Sequence, residues 1–530
     1  MRAIVSAALS LLLVVAGCAD APPAGQSRET ASADIAWFEG EVEEAFTTAG
    51  NSGKPVFLYW GADWCPPCHN LKQNVFTRPE FLDAITNFVP VYLDGDTDRA
   101  QLWAERYSID GYPTVILFSP SGVELFRMPT DVTPERYGAL LQSAIREFRP
   151  VQAILTEVAA GEPGEASPTD LELLAYHSWN QDQHVELSDS EALDLFWRIY
   201  SGRPDLAPRL RARFMVLTLE KAMPSVWSGE RDRGNEGLPT LGEQQKASLR
   251  SGLVGLLASP ELWPDNKIFL TLEARRTIET LEPAPSAGRA ELVARWLAVA
   301  QELQRNPQYS ATEQLMSFVP EFELHALQAG DGDVSVPPAL QNKVRARVAP
   351  VVAGASDPGE FQSTLNMLVW LHTMAGLDEE AAALLDRYMD QTAAPYYFLS
   401  ILGDLSADKP EAALEWYRLA LERSPRGSSR VKTGSGYILK LIELAPEDAD
   451  AIERATREVI TEMAERSDAF AGRNQSYLAE LSDALVAWAS STGNAAVIDR
   501  LRSEIRQKCD RLRGQIDQVQ YERCMTFLSS

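Results

Sequence analysis

The sequence predicts an α/β domain followed by a large all-α region. Over residues 35–149, short apolar runs alternate with helical patterns, which is typical of strands and helices that follow one another along a chain. Beyond residue 150, strand-like alternation stops and helical periodicity recurs to the end of the chain. A length of 530 residues leaves room for several domains.

The predicted elements of the α/β domain have the order helix, strand, helix, strand, helix, hairpin, helix. Buried strands are predicted at 54–62 and 89–96, where apolar and aromatic residues form short runs. Residues 113–128 predict a hairpin, because Ser119-Pro120-Ser121-Gly122 is a turn sequence. Helices are predicted at 35–49, 68–76, 78–88, 99–109 and 133–148, the last with Thr133 as its N-cap.

The all-α region divides into a linker, a helical domain and a repeat-like domain. Residues 150–172 predict a linker rich in Gly, Pro and Ser, and 173–330 a helical domain. In the last part, 340–530, the stretch 409–425 resembles the second half of a tetratricopeptide repeat, and similar stretches lie about 31 residues before and 36 after it. We expect a solenoid of helical pairs there; a generic helical bundle is the alternative.

The N-terminus predicts a lipoprotein signal peptide over residues 1–17. Arg2 precedes an apolar run of roughly 15 residues, which is short for a membrane span but typical of a signal peptide. The run ends in Val15-Ala16-Gly17-Cys18, which resembles the lipobox of bacterial lipoproteins and implies that Cys18 is lipidated. The alternatives are an uncleaved anchor and a plain signal peptide with a chance cysteine. The small polar residues 18–34 then predict a flexible tether.

These features predict a protein that is anchored by lipid in the cell envelope and faces the periplasm. Disulfides persist in that compartment. Ala19, and not Asp, follows the lipidated cysteine, and the absence of this inner-membrane retention signal favours the outer membrane. The net charge of −26 argues against a nucleic-acid partner, since an acidic surface repels phosphates.

The motif Trp64-Cys65-Pro66-Pro67-Cys68 carries two of the five cysteines and is the candidate catalytic site. Two sulfurs separated by one helical turn can exchange electrons with a substrate disulfide, hold part of a metal site, or form an inert staple. A zinc site requires two more ligands at a suitable spacing, and the sequence has no second pair of this kind. We therefore expect redox exchange, with no metal and no cofactor.

The motif follows a predicted strand, and Gly111-Tyr112-Pro113-Thr114 lies about 45 residues further on. Together they resemble the thioredoxin fold, and the longer stretch from Trp64 resembles the thioredoxin domains of bacterial thiol:disulfide interchange proteins. The resemblance implies a cis proline at Pro113, packed against the cysteine pair. It also implies a substrate groove formed by Trp64, Tyr112, Pro113 and Thr114, and protein thiols or disulfides as substrates, with a redox donor or acceptor protein as partner.

The position at a strand-to-helix junction suggests distinct roles for the two cysteines. Cys65 at the start of the helix is the expected nucleophile, because unpaired N–H groups and the helix dipole favour its thiolate. Cys68, one turn further, is the expected resolving thiol. Thioredoxins carry a buried aspartate six residues before the first cysteine, where this chain has Tyr59. We expect His69 to be exposed on the helix.

Cys509 and Cys524 remain as a second pair. A straight helix of fifteen residues would hold them about 22 Å apart, so a disulfide requires the chain to turn back, and Gly514 could begin that turn. A structural disulfide and two buried thiols are both open.

Two functions follow from these features. The first is a membrane-tethered periplasmic thiol–disulfide oxidoreductase whose helical region selects clients or docks an electron donor. The second is an adaptor or assembly lipoprotein whose repeat-like helices bind a protein partner, with the redox head secondary. The intact cysteine pair favours the first function, and the nearly 380 residues outside the redox head favour the second.

Overall fold

The computed structural model describes residues 35–161, 166–185, 187–223, 239–330, 335–464 and 466–529. The predicted signal peptide, the tether and the lipidation site Cys18 lie outside these ranges, as do residues 162–165 of the predicted linker.

A four-stranded mixed sheet forms the centre of the α/β domain, residues 35–149. Its strands are β1 (Val56–Gly61), β2 (Val89–Asp94), β3 (Thr114–Phe118) and β4 (Glu124–Arg127), in the spatial order β2-β1-β3-β4. Strand β1 is parallel to β2 and antiparallel to β3, and β3 is antiparallel to β4. The predicted strands and the hairpin are confirmed.

Five helices complete this domain: α1 (Val42–Ser52), α2 (Pro66–Asn74), α3 (Pro79–Ile85), α4 (Asp98–Tyr107) and α5 (Pro134–Ile145). Thr133 caps α5 as predicted, and its hydroxyl accepts a hydrogen bond from the Arg136 N–H at 3.2 Å. The first helix begins later than predicted, because the chain before it is extended. There, the Phe38 N–H donates to the Pro90 carbonyl at 2.7 Å, alongside β2.

The rest of the described chain, the helical region, contains no strand pairing beyond one isolated bridge in its described ranges. No helix within those ranges has both the length and the apolar composition that crossing a membrane requires. Helices α6 to α25 lie at Val151–Ala160, Pro168–Tyr176, Asp189–Gly202, Pro208–Lys221, Glu243–Leu257, Lys267–Leu272, Ala274–Leu281, Ala287–Leu303, Ala311–Met316, Val319–Ala329, Pro338–Gly354, Pro358–Met374, Asp378–Tyr388, Tyr396–Leu405, Pro410–Arg423, Ser428–Leu444, Ala449–Met463, Gly472–Thr492, Ala495–Leu512 and Gln518–Thr526.

The segment predicted as a linker, 150–172, differs from that prediction. Helix α6 occupies residues 151–160 of it, and Val151, Ile154, Leu155 and Val158 are buried. Their spacing of three and four residues makes one apolar helix face, which packs into a core. The Gly and Pro residues that suggested a linker lie only after this helix.

That core joins the α/β domain to the first part of the helical region. It contains Phe57 and Leu117 from the sheet together with Leu174 of α7 and Phe214 of α9. The opposite face of the sheet packs beneath α1 and α4 in a separate cluster. Two further clusters lie within α11–α20 and within α21–α25 and the residues around them. The α/β domain therefore has no core boundary at residue 150.

From α16 to α22, each helix packs against the next helix along the chain. Consecutive packing of this kind is typical of helical-repeat regions. A tetratricopeptide identity for these helices stays a prediction.

Replacing Ile154 in α6 with alanine should lower the free energy of unfolding by about 2–5 kcal/mol, because the side chain is completely buried in the shared core. Urea titration followed by tryptophan fluorescence measures the change. Val123→Ala, at a half-exposed position of the β3–β4 turn, is the control and should change stability by less than about 0.5 kcal/mol. A loss below about 1 kcal/mol for Ile154→Ala would mean that α6 is not part of this core.

Candidate active site

Cys65 and Cys68 form a disulfide at the junction between β1 and α2, with their Cα atoms 5.3 Å apart. Cys65 is the N-cap of α2, in extended conformation, and its sulfur accepts from the Cys68 N–H at 3.2 Å. Pro66 and Pro67 occupy the first helical positions, where a missing N–H costs no intrahelical hydrogen bond. Cys65 therefore lies at the positive end of the helix.

The residues predicted to flank the pair lie around it. The peptide bond between Tyr112 and Pro113 is cis. The Trp64 and Tyr112 rings have centroids 6.0 Å apart, and both rings pack against the two cysteines. Thr114 begins β3, pairs with Trp60 of β1, and donates its hydroxyl to the Gly111 carbonyl at 2.8 Å. The strand pairing thus brings two distant motifs to one site.

Tyr59 occupies the position where thioredoxins carry a buried aspartate. Its side chain is completely buried among the rings of Trp37, Phe76 and Tyr92. Its hydroxyl has no hydrogen-bond partner among the described residues. Burial, and then the carboxylates nearby, raise the pKa of Tyr59 well above its ordinary value. Tyr59 cannot replace an ionisable carboxylate near neutral pH.

His69 is buried, and the expectation of an exposed histidine is wrong. Its Nε2 lies 2.6 Å from the Asp63 carbonyl, and burial lowers the pKa of the ring. Gly359 at the start of α17 lies so close that a Cβ atom there would overlap the imidazole. The helical region, which covers this face of α2, is what buries the ring.

Two carboxylates that the sequence analysis did not single out lie beside the motif. Asp94 ends β2 opposite Gly61, and Asp96 follows two residues later. Burial, then the proximity of Asp96, raises the pKa of Asp94 to about 6. Burial also raises the pKa of Asp96. The acidic residues at the end of the predicted strand 89–96 were the available signal, because β2 runs parallel to the strand that leads into the motif.

Helix α17 covers the backbone on both sides of Cys65. The Gln362 amide donates to the Trp64 carbonyl at 2.6 Å, and the Ser363 hydroxyl donates to the Pro66 carbonyl at 2.7 Å. Gln362 also accepts from the Ala394 N–H at 2.8 Å. With these contacts, only 2% of Cys65 is exposed.

Two more helices of the same region begin against the α/β domain. At the start of α21, the Ser429 N–H and hydroxyl donate to one oxygen of Asp96 at 2.9 and 2.8 Å. At the start of α23, the Gly472 N–H donates to Glu105 at 2.8 Å. Carboxylates of the α/β domain thus accept from the free N–H groups of two helix N-termini, an arrangement that the helix dipole favours.

The helical region also contacts the loop that holds the cis proline. Gln181, from the segment after α7, donates its amide to the Pro113 carbonyl at 2.9 Å. The guanidinium carbon of Arg473 lies 4.7 Å from the centroid of the Tyr112 ring. The predicted substrate groove is therefore occupied by side chains of the same chain.

Cys509 and Cys524 form a second disulfide, with their Cα atoms 5.9 Å apart. Helix α24 ends at Leu512 and α25 begins at Gln518, so the chain turns back between the two cysteines. Gly514 lies in that turn with a positive φ of 79°. Both sulfurs are buried in the core of the last helices, away from the Cys65 site, where they form a staple between α24 and α25.

Comparison with known proteins assigns the first domain. Residues 42–145 match the family model described as a thioredoxin-like domain. These residues form a thioredoxin-like domain. The match covers the sheet from β1 to β4 and helices α1 to α5. The helical region from α6 onward lies outside the matched residues.

The thioredoxin-like domain is similar to thiol:disulfide interchange proteins. It is 37% identical over 86 residues to thiol:disulfide interchange protein DsbD of Ralstonia nicotianae, which is 16% of this chain and 14% of that protein. Thiol:disulfide interchange protein DsbD 2 of Pseudomonas aeruginosa is 32% identical over 101 residues, 18% of this chain and 17% of that protein. This chain therefore spans less than a fifth of the length of either protein.

Two further similarities cover most of the compared protein. Thiol:disulfide interchange protein TxlA of Synechococcus elongatus is 23% identical over 172 residues, which are 32% of this chain and 85% of that protein. A solved structure of a DsbH oxidoreductase aligns with 24% of this chain and 96% of its own, at 20% identity and a TM-score of 0.20.

Replacing Gln362 with alanine should raise the alkylation rate of Cys65 in the reduced, folded protein by about tenfold. The change leaves the Trp64 carbonyl and the Ala394 N–H unpaired, at a cost of about 1–3 kcal/mol. Helix α17 therefore separates from Cys65 more often. Gln304→Ala, which removes a similar bond to the Ser317 carbonyl at 3.0 Å far from the site, is the control. Equal alkylation rates for both variants would show that α17 does not limit access to Cys65.

Proposed function

We propose that this protein is a membrane-tethered periplasmic thiol–disulfide oxidoreductase that exchanges disulfides with protein substrates. One observation carries the proposal: a Cys65–Cys68 disulfide that opens helix α2, with the Trp64 and Tyr112 side chains packed against it. A purely structural disulfide has no need of a position at a helix N-terminus, where the thiolate form of Cys65 is favoured. Similarity to thiol:disulfide interchange proteins over the same residues supports it.

The reaction conserves atoms and electrons through a mixed disulfide. In the reducing direction, the Cys65 thiolate attacks one sulfur of a client disulfide, and the client's other sulfur leaves as a thiolate. The Cys68 thiolate then attacks the Cys65 sulfur, the mixed bond breaks, and the client is released as a dithiol. Two electrons pass from the cysteine pair to the client. The oxidising direction is the same sequence reversed.

The buried position of Cys65 supports a role for the helical region in client access. An extended client segment beside Pro113 would have to displace Gln181 and the Arg473 side chain, and Gln362 holds the backbone at Trp64. A large client therefore reaches the sulfur only when the cover opens. In this proposal, the helical region selects which proteins exchange with the pair.

The same burial favours a second candidate function, an adaptor lipoprotein whose helical region binds a protein partner. A sulfur that is 2% exposed is a poor nucleophile for passing proteins, and most of the chain is helical. In that case the disulfide would stabilise the domain and would not turn over. The two functions differ in whether clients become covalently attached to Cys65.

The Cys68→Ala variant of the full chain should accumulate mixed disulfides with client proteins, because it removes the thiol that resolves them. Non-reducing electrophoresis of extracts from acid-quenched cells, with mass spectrometry of the trapped species, measures the accumulation. Cys65→Ser and the double variant are the matched controls and should trap nothing. If Cys68→Ala also trapped nothing, the adaptor function would replace the oxidoreductase.

Replacing Cys18 with serine should move the protein from the membrane fraction to the soluble periplasmic fraction, because the proposed lipid is attached at that sulfur. Ultracentrifugation of spheroplast fractions with immunoblotting measures the distribution. Ala19→Ser, which keeps the cysteine, should leave the wild-type distribution unchanged. Persistence of Cys18→Ser in the membrane pellet would contradict lipid anchoring at this residue.

A further inference from the structure

Two cations of the helical region lie against the aromatic rings beside the cysteine pair. The Nζ atom of Lys432, on α21, is 4.6 Å from the centroid of the Trp64 ring. The guanidinium carbon of Arg473, on α23, is 5.2 Å from Trp64 and 4.7 Å from Tyr112. Both rings pack against the two cysteines. Each cation therefore contacts a ring that packs against the cluster containing the cysteine pair.

The thioredoxin-like domain itself surrounds the pair with negative charge. Asp63 precedes Cys65 by two residues, and Asp94 and Asp96 follow the strand next to it. The raised pKa of Asp94, about 6, reflects burial and the nearby Asp96 carboxylate. Carboxylates near a thiol disfavour its ionised form, because the two negative charges repel. Within this domain, these carboxylates oppose the positive end of α2, which favours the Cys65 thiolate.

The N-termini of α21 and α23 already donate hydrogen bonds to carboxylates of the thioredoxin-like domain. The first free N–H groups of α21 and α23 bind Asp96 and Glu105. The positive end of helix α2 lies at Cys65, whose sulfur accepts a hydrogen bond from the Cys68 N–H. The side chains of Lys432 and Arg473 therefore carry the positive charge that the helical region adds at the Trp64 side of the pair.

We propose that Lys432 and Arg473 are positioning residues of the redox site, which stabilise the Cys65 thiolate through the Trp64 and Tyr112 rings. The helical region then sets the redox equilibrium of the pair as well as access to it. This inference rests on the proposed function and deepens it. The cations act on the reactive sulfur through their charge and take no part in the bond exchange with the client.

The charge of Lys432 depends on its neighbours. Burial, followed by the repulsion of Arg473, lowers the pKa of its ammonium to about 8, and the Asp96 carboxylate opposes this effect. Below that pH the ammonium is charged and attracts a thiolate. Other charged or titratable groups around the site include Asp63, His69, Lys72, Asp94, Glu105, Asp110, Tyr112, Asp357, Tyr396, Tyr397 and Tyr477.

A stabilised thiolate favours the reduced form of the pair over the disulfide, so the cations make the pair more oxidising. Removing one charge should raise the pKa of Cys65 by about 0.5–1 unit. It should also shift the equilibrium with glutathione about three- to tenfold toward the protein disulfide. For a two-electron couple this corresponds to about 14–30 mV.

The experiment compares full-length wild type with Lys432→Met, Lys432→Arg and Lys440→Met. Lys440 lies on the same helix, paired with Glu443 at its exposed side, and serves as the matched control. The equilibrium with glutathione is fixed by acid quenching and read by alkylation after denaturation, so burial of the sulfur does not matter. The ultraviolet absorbance of the thiolate gives the pKa at pH 5–7.5. We expect only Lys432→Met to shift the equilibrium with glutathione and the thiol pKa. The equilibrium constant of Lys432→Arg should lie within twofold of the wild-type value.

Arg473→Met and Arg473→Lys give an independent test, and decide the matter if Lys432→Met does not fold. We expect Arg473→Met to shift both readouts in the same direction and Arg473→Lys to restore most of the wild-type values. If the wild type exchanges disulfides but the folded methionine variants keep its equilibrium and thiol pKa, the inference is overturned while the proposed function stands. A wild-type pair that does not exchange with glutathione contradicts the proposed function itself.

Discussion

The carboxylate of Asp96 accepts two hydrogen bonds from Ser429 at the start of α21, and the position of the helical region depends on contacts of this type. A helix N-terminus carries free N–H groups and a partial positive charge, so it needs an acceptor when it is buried. The thioredoxin-like domain supplies such acceptors on the loop after β2 and on α4. Helices α21 and α23 therefore begin at this face of the thioredoxin-like domain.

The same contacts explain why ordinary features of this fold become unusual here. A cysteine at the start of a helix is an exposed nucleophile when nothing lies above it, yet Cys65 is buried under α17. Burial raises the pKa of Asp94 and of Asp96 in the whole chain. Lys432 and Arg473 then place positive charge where the domain alone has mostly negative charge. The interface between the helical region and the thioredoxin-like domain therefore determines both the access to Cys65 and the charges around it.

Much of the first domain was predictable because its signals are local. Apolar runs bounded by turn residues predicted β1, β2 and the hairpin, and Thr133 predicted the start of α5. The cysteine motif predicted its own helix junction. The linker prediction at 150–172 missed helix α6, because the Gly and Pro residues were given more weight than the apolar spacing of Ile154 and its neighbours. That spacing indicates a buried helix face only when the core against which it packs is known.

The sequence by itself determined the redox pair, the strand-to-helix junction that exposes its chemistry, and the proline loop that belongs beside it. These depend on residues a few positions apart, or on strand pairing within one small domain. Only the tertiary structure decided that His69 is buried, that burial raises the pKa of Asp94 and Asp96, and that Gln362 and Lys432 contact Trp64. Gln362 is separated from Trp64 by 298 positions. No local periodicity encodes such a contact, because it arises from the accumulated path of many packed helices.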